Sequence, residues 1–405
     1  MPFWVIKLSL RYLFPKGRRG TFFTWGSMIG VTLGIALLVI VVSVMNGFDT
    51  NISEKLVQTQ GAIKILSQDI ILNYQDLMEE IRKIPYVKGV TPYVRGISLV
   101  QSDQRVAFPN CIGVDWDTVN DVLPLNKFLN SENKEGVFIS VPLARDLGLK
   151  KNQTFDLYSP LVLEAIKNDE IILPQELNVD GTFKTGWAEI DQNTIIFPLK
   201  TLQETYGMTE NAVHGFNVNT DQMYISLACK KLNYILPPNM HAYAWYELNS
   251  SFLQVLKMEK SMCIFILFFI VCIAAFSISS GLMFSTIRKQ REISLLKTWG
   301  ASNREITQIF CLQGFILGSI GTIFGFIISF FILKYRNWII NLLTGWFLPK
   351  DALWNFYEVE ELPVAYCPLD YTVIAICTLV LIVLASFIPA LAACNKPAVE
   401  GLRCE

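Results

Sequence analysis

Four long apolar runs, at residues 22–46, 261–285, 306–333 and 371–394, constrain this chain more than any other feature. A hydrocarbon core about 30 Å thick is crossed by a helix of about 20 apolar residues, which satisfies every backbone N–H and C=O within itself. Each run meets that length. Charged residues make up only 17% of the chain, against about 25% in soluble domains, and they lie between the runs. The first run reads as a span and not as a cleaved signal. It is too long, and its end, Val44-Met45-Asn46-Gly47-Phe48, has no small-residue cleavage site.

Positive charge sets the expected orientation, because Lys and Arg are retained on the cytoplasmic side. Lys7, Arg11, Lys16, Arg18 and Arg19 precede the first run, and Arg288, Lys289, Arg291, Lys297 and Arg304 lie between the second and third. Lys396 and Arg403 follow the fourth. The stretch 334–370 instead carries Asp351, Glu358, Glu360, Glu361 and Asp370 against Arg336 and Lys350. Both termini (1–21 and 395–405) and the loop 286–305 are therefore expected in the cytoplasm, with 47–260 and 334–370 outside. Residues 4–14 alternate apolar positions with Lys7 and Arg11. They read equally as an interfacial helix or as an extension of the first span.

Other classes are disfavoured. No run holds an ionisable side chain near its centre, as ion-coupled carriers usually require, so energy for any transport should come from elsewhere. The net charge of −1 gives no sign of a nucleic-acid partner. The nine cysteines include no CxxC pair, and the two histidines, His214 and His241, are far apart, so no metal site is expected. The sequence leaves a Cys111–Cys229 disulfide open. No GxxxxGK[ST] phosphate loop occurs, so any ATP-driven motor must be a separate chain.

The stretch 47–260 is long enough for one or two compact subdomains. Residues 60–66 read as a strand, 74–84 as a helix with Leu77, Ile81 and Ile84 on one face, and 87–100 as returning strands. Near the other end, 214–219, 221–235 and 242–246 repeat the strand–helix–strand pattern. The two ends are expected to share one membrane-proximal subdomain. The middle, about 102–212, would form a second, strand-rich one, with a helix at 140–148 and strands at 155–159 and 194–197. The fold class is therefore an α+β integral membrane protein: four transmembrane helices, with a large α+β extracytoplasmic domain between the first and second. No catalytic constellation stands out, and Glu189 and Asp191 read as residues of a solvated strand or turn.

Glycines in the runs are spaced for helix packing. Gly26, Gly30 and Gly34 repeat every fourth residue, and Gly314, Gly318 and Gly325 lie at helical spacing with Gly321 beside them. Small residues let helix backbones approach closely, within one chain or across a dimer. The loop 286–305 is amphipathic. Gly300 suits the position that ends a helix, and Ser302-Asn303-Arg304-Glu305 is a capping box that starts the next. Ile293, Leu295, Leu296 and Trp299 need a partner or the lipid interface, and a short helix seated in a groove is a known recognition mode.

The segment Arg291-Glu292-Ile293-Ser294-Leu295-Leu296-Lys297-Thr298-Trp299-Gly300-Ala301-Ser302 resembles the coupling helix of type VII ABC-transporter permeases. Within that superfamily (MacB- and FtsX-like) the chain resembles the lipoprotein-releasing permeases LolC and LolE. The residues that carry this are Arg11-Tyr12-Leu13, Ser43 to Phe48, Gly186-Trp187-Ala188-Glu189-Ile190-Asp191 and Glu361-Leu362-Pro363-Val364. Pro368-Leu369-Asp370, Ile388-Pro389-Ala390 and Pro397 to Arg403 add to them. Leu391 to Asn395 replace the arginines usual in the family's tail, and Ser140-Val141-Pro142 stands where a Gly-Lys-like pair is common.

The resemblance implies a non-enzymatic permease of the bacterial inner membrane. It would pair with a second copy or a paralogue and with LolD-like ATPase subunits, which hold ATP and magnesium; this chain would bind no cofactor. Acylated lipoprotein would enter between the first two spans and pass to a periplasmic, LolA-like carrier. Moving acyl chains out of lipid costs about 0.8 kcal/mol per CH₂, which demands an external energy source. On this reading Arg291, Glu292, Ile293, Leu295, Leu296, Trp299 and Gly300 meet the ATPase. Met45, Phe48, Met262 and Phe265 line the pocket that receives the lipoprotein. The resemblance leaves open whether the loop 160–181 is the carrier-recruiting hook of LolC-type members. The alternatives are a MacB-like efflux permease, an FtsX-like mechanotransmitting permease, and a membrane scaffold with no transport role.

Overall fold

The structure, a computed structural model, describes residues 3–13, 21–130, 135–160, 173–347 and 362–395. The expectations for Lys16, Arg18 and Arg19, most of the loop 160–181, the acidic stretch before Leu362 and the basic tail lie outside those residues. The chain divides into a helical unit, drawn from 1–50, 255–353 and 361–405, and an α+β unit centred on 51–254.

Among the described residues four helices are long and apolar enough to cross a membrane: Thr21–Gln60, Ser250–Arg288, Asn303–Lys334 and Pro368–Asn395. The first two run well past the apolar stretches 22–46 and 261–285. Apolar length reports the thickness of lipid, whereas helical hydrogen bonding continues until a residue breaks it. Gly61, at φ +84°, does so for the first helix. The third begins at a complete capping box: Ser302 Oγ accepts from the Glu305 N–H, and Glu305 Oε2 accepts from the Ser302 N–H at 2.8 Å.

Val31, Ile35 and Val39 of the first helix pack with Ala274, Ile278 and Leu282 of the second, together with Leu317 and Ile382. The glycines divide by role. A Cβ at Gly318 would stand 2.9 Å from Ile382 Cδ1, and one at Gly325 would stand 2.9 Å from Ile35 Cβ. Gly314 faces Ser386, and Gly321 faces Val31. Gly34 makes ordinary contact with Ala274 and Ile270 at 3.8 Å. Gly26 and Gly30 differ from the expected packing role within the chain, for a Cβ at either would meet nothing within 4 Å. A polar knot joins the first, second and fourth long helices around Asn46. Lys260 Nζ donates to Asn46 Oδ1 at 2.6 Å and pairs with Asp49 at 3.0 Å, while Asn46 Nδ2 donates to Asp370 Oδ2 at 2.6 Å.

The α+β unit is built on strands β1 (Ile63–Leu72), β2 (Val87–Ile97), β3 (Leu99–Ser102), β4 (Arg105–Ala107) and β5 (Asn110–Val114). They are followed by β6 (Leu129–Asn130), β7 (Phe138–Ser140), β8 (Thr154–Tyr158) and β9 (Gln175–Asn178). The last four are β10 (Gly181–Phe183), β11 (Thr194–Pro198), β12 (Ala212–Thr220) and β13 (Met240–Ala244). Nine of them form one mixed sheet in the order β13-β1-β12-β2-β5-β11-β7-β10-β6, and β4-β3-β8-β9 form a second sheet.

This order differs from the two separate subdomains read from the sequence. The strands of the two chain ends do interleave, but β2 then pairs antiparallel with β5, and β5 pairs parallel with β11. The sheet therefore continues from the ends into the middle without a break, because β2 offers a second edge that local patterning does not reveal. The main core lies on one face, where Ile63, Ile65, Val94, Phe197, Phe216 and Val218 meet Ile225 and Leu232 of the helix Ile225–Ile235. A second cluster, with Val114, Val122, Leu123, Leu125, Phe138 and Ile196, lies apart from it. Cys111 and Cys229 are buried free thiols, and Cys229 Sγ donates to the Ala242 carbonyl at 3.0 Å.

Candidate functional site

The loop between the second and third long helices folds as a separate helix, Gln290–Thr298, closed by Gly300 at φ +97°. A left-handed residue just beyond the last turn suits glycine, since a Cβ would be strained there. Ile293 and Ser294 face inward. Ile293 is 4% exposed and packs with Ile306, Phe310, Ala390 and Cys394. Lys297 Nζ donates to the Cys394 carbonyl at 2.8 Å. The short helix is thus fastened to the third and fourth long helices.

Its other face is open. Leu295 is exposed, Trp299 is 84% exposed, and the two lie one helical turn apart. Leu296 is half-buried at the edge of this patch, and Arg291 is exposed. Ile293 is therefore not part of a surface for a partner, contrary to its expected role. Helical periodicity turns it toward the chain's own core.

Glu292 is half engaged within the chain. It pairs with Lys289 at 3.7 Å and accepts a hydrogen bond from the Tyr12 hydroxyl. Tyr12 belongs to the helix Phe3–Leu13, and Lys289 Nζ sits 3.6 Å from the centre of its ring. Burial, and then the Glu292 hydrogen bond, hold the Tyr12 phenol far above its ordinary pKa. Burial also lowers the pKa of Lys289, with Glu292 opposing it. Motif reading of the loop alone missed Tyr12 and Lys289. The available signal was Arg11-Tyr12-Leu13, whose chemistry becomes visible only once the amino-terminal helix is docked.

At the opposite end of the helical unit, Met262 and Phe265 lie exposed on the second long helix, with Phe265 edge-on to Phe269 at 4.9 Å. Met45 and Phe48 are half-buried on the first. Among the described residues no cluster of three or more His, Cys, Asp or Glu could hold a metal ion.

Comparison with known proteins agrees with this architecture. The MacB-like periplasmic core domain family matches residues 24–229, a little over half of the 405-residue chain. The FtsX-like permease C-terminal family matches residues 264–398. The lipoprotein-releasing system transmembrane protein LolC of Xylella fastidiosa is 25% identical, over 99% of this chain and 98% of that protein. LolC of Neisseria meningitidis is 26% identical, over 98% of each. LolE of Haemophilus influenzae is 22% identical, over 90% of each. The chain belongs to the MacB-like periplasmic core domain family and is similar, over 90% or more of its length, to the LolC and LolE transmembrane proteins.

Among solved structures, the periplasmic region of MacB from Actinobacillus actinomycetemcomitans covers 49% of this permease and 94% of its own chain, at 11% identity and a TM-score of 0.35. The permease is a multi-pass membrane protein with a mixed α+β domain between its first and second long helices. The short helix Gln290–Thr298 falls inside the FtsX-like segment, while the Tyr12 that braces it lies outside both matched segments.

Proposed function

We propose that this permease extracts outer-membrane-directed lipoproteins from the inner membrane and hands them to a periplasmic carrier, driven by a separate ATPase. Its termini and the 286–305 loop lie in the cytoplasm, and it pairs with a second copy or a paralogue. The ATPase partner holds ATP and magnesium. The names of its relatives support the cargo, and the distribution of Lys and Arg supports the orientation. The observation that carries the reading is the exposed Leu295–Trp299 patch on a helix fastened by Ile293 and Lys297 to two long helices. A force applied to that patch by a nucleotide-driven partner would pass directly into the helical unit. Met45, Phe48, Met262 and Phe265 are the proposed contacts for the acyl chains.

The test is purification from the native membrane, with identification of bound proteins and lipids, for the wild type and for Leu295→Asp and Trp299→Asp. An ATPase that accompanies the wild type and is lost from both variants is the expected result. Triacylated lipoprotein in the wild-type sample fixes the cargo. A wild-type chain that brings no ATPase under mild conditions overturns the proposal and favours a scaffold.

A further inference from the structure

The α+β unit contains a second place with chemistry of its own. Along β1, Ile63 and Ile65 enter the main core, so Lys64 and Leu66 point to the other face of the sheet. There, together with Tyr93, Arg95 and Asn217, they line a cavity of about 290 Å³. This lies just below the volumes that usually hold small molecules, roughly 300–1,000 Å³. One part of the wall is aliphatic, with Ile112, Val114, Leu123 and Ile196, and polar residues such as Gln60, Asn110, Thr185 and Glu189 complete it.

Three features of the wall go together. First, it holds two cations, and among the described residues neither Lys64 nor Arg95 has a carboxylate within ion-pair distance. Glu189 lines the same cavity, yet the charge that Lys64 feels is that of Arg95. Burial first, and Arg95 second, push the Lys64 ammonium down to about 8, and its Nζ lies 4.7 Å from the centre of the Tyr93 ring. Second, Asn217 is 7% exposed, and its Oδ1 accepts no hydrogen bond from the described residues. Buried acceptors are rarely left in that state. Third, the aliphatic wall gains from burial against an apolar chain. Like charges with no acid at ion-pair distance, an unsatisfied acceptor and an aliphatic stretch of wall are complementary to one kind of guest.

We propose that this cavity binds a short-chain N-acyl amino acid: its carboxylate at Lys64 and Arg95, its amide N–H at Asn217 Oδ1, and its acyl chain along Ile112, Val114 and Ile196. The proposal goes beyond lipoprotein release and stands or falls independently of it, since every residue named belongs to the α+β unit and none to the Leu295–Trp299 patch.

The test uses the full chain in phosphatidylcholine nanodiscs, with N-octanoylglycine as probe, measured by calorimetry against empty nanodiscs. Saturable binding at one site per chain is expected. Lys64→Met and Arg95→Met should each weaken it by about tenfold, as for loss of a charge-assisted hydrogen bond, while Lys64→Arg stays within about threefold. Octanoate, which lacks the amide, should bind about fivefold more weakly, at the scale of one neutral hydrogen bond. Octanol and glycine should not compete. Binding equal to that of empty nanodiscs, or unchanged in both methionine variants, overturns the proposal. So does glycine or inorganic phosphate competing as well as the probe, which would leave a plain anion site. If Lys64→Met fails to fold, Arg95→Met and the wild-type ligand series decide the matter.

Discussion

Asp191 is a carboxylate with no solvent exposure. Its oxygens accept from the Thr185 N–H at 2.8 Å, the Thr185 hydroxyl at 2.8 Å and the Gly186 N–H at 2.7 Å. In the sequence the same residue reads as part of a solvated turn, because an acidic residue beside Glu189 carries no local sign of the donors that fold around it. Asp191→Ala should cost about 3 kcal/mol by leaving those donors buried and unpaired, and Asp191→Asn about half as much. Thermal unfolding followed by the fluorescence of the nearby Trp187 measures both, and equal stability of the wild type and Asp191→Ala would refute this. Lys64 behaves in the opposite sense. Its folded pKa of about 8 lies below the ordinary 10.5, so the unfolded chain binds the extra proton between those values. Stability should therefore rise with pH through that window, and the penalty is fully present below pH 8. Lys64→Met should raise the unfolding temperature at pH 7, and the gain should fade by pH 10.5.

At the scale of elements, the short helix Gln290–Thr298 shows how periodicity assigns roles that composition cannot. Ile293 and Leu295 are both aliphatic and two positions apart, so one enters the core with Ile306 and Phe310 while the other stays exposed. The capping box and the stop at Gly300 were legible in the sequence because their geometry is local. The docking of Tyr12 and Lys289 was not, because it joins helices far apart in the chain. The glycine stripes make the same point. Gly318→Leu should force Ile382 aside and cost about 1–3 kcal/mol. Gly26→Val faces open space within the chain and should change its stability by less than about 0.5 kcal/mol. Unfolding temperatures in one lipid compare the two, and a larger loss for Gly26→Val would contradict this packing.

At the scale of the whole molecule, the continuous nine-stranded sheet makes the α+β unit cooperative. The joint lies at β2, β5 and β11, where antiparallel pairing changes to parallel. Hydrogen exchange in β1, β12, β5 and β11 should report one opening free energy, since a sheet without a break offers no boundary between subdomains. Two well-separated values, one for the chain ends and one for 102–212, would restore the two-subdomain arrangement expected from the sequence.

Local chemistry, then, was enough to show four helices of membrane-spanning length, a mixed domain between the first and second, the amphipathic loop helix and its caps. Apolar length, helical period and turn residues act over a few positions, so they can be read along the chain. The helix continuations to Gln60 and from Ser250, the single sheet, the division of the glycines and the burial of Asp191 arose only in the tertiary structure. So did the gathering of Lys64, Arg95 and Asn217 around one cavity. Each depends on which distant surfaces meet, and an edge, a close approach or a buried charge acquires its energy only when the partner arrives.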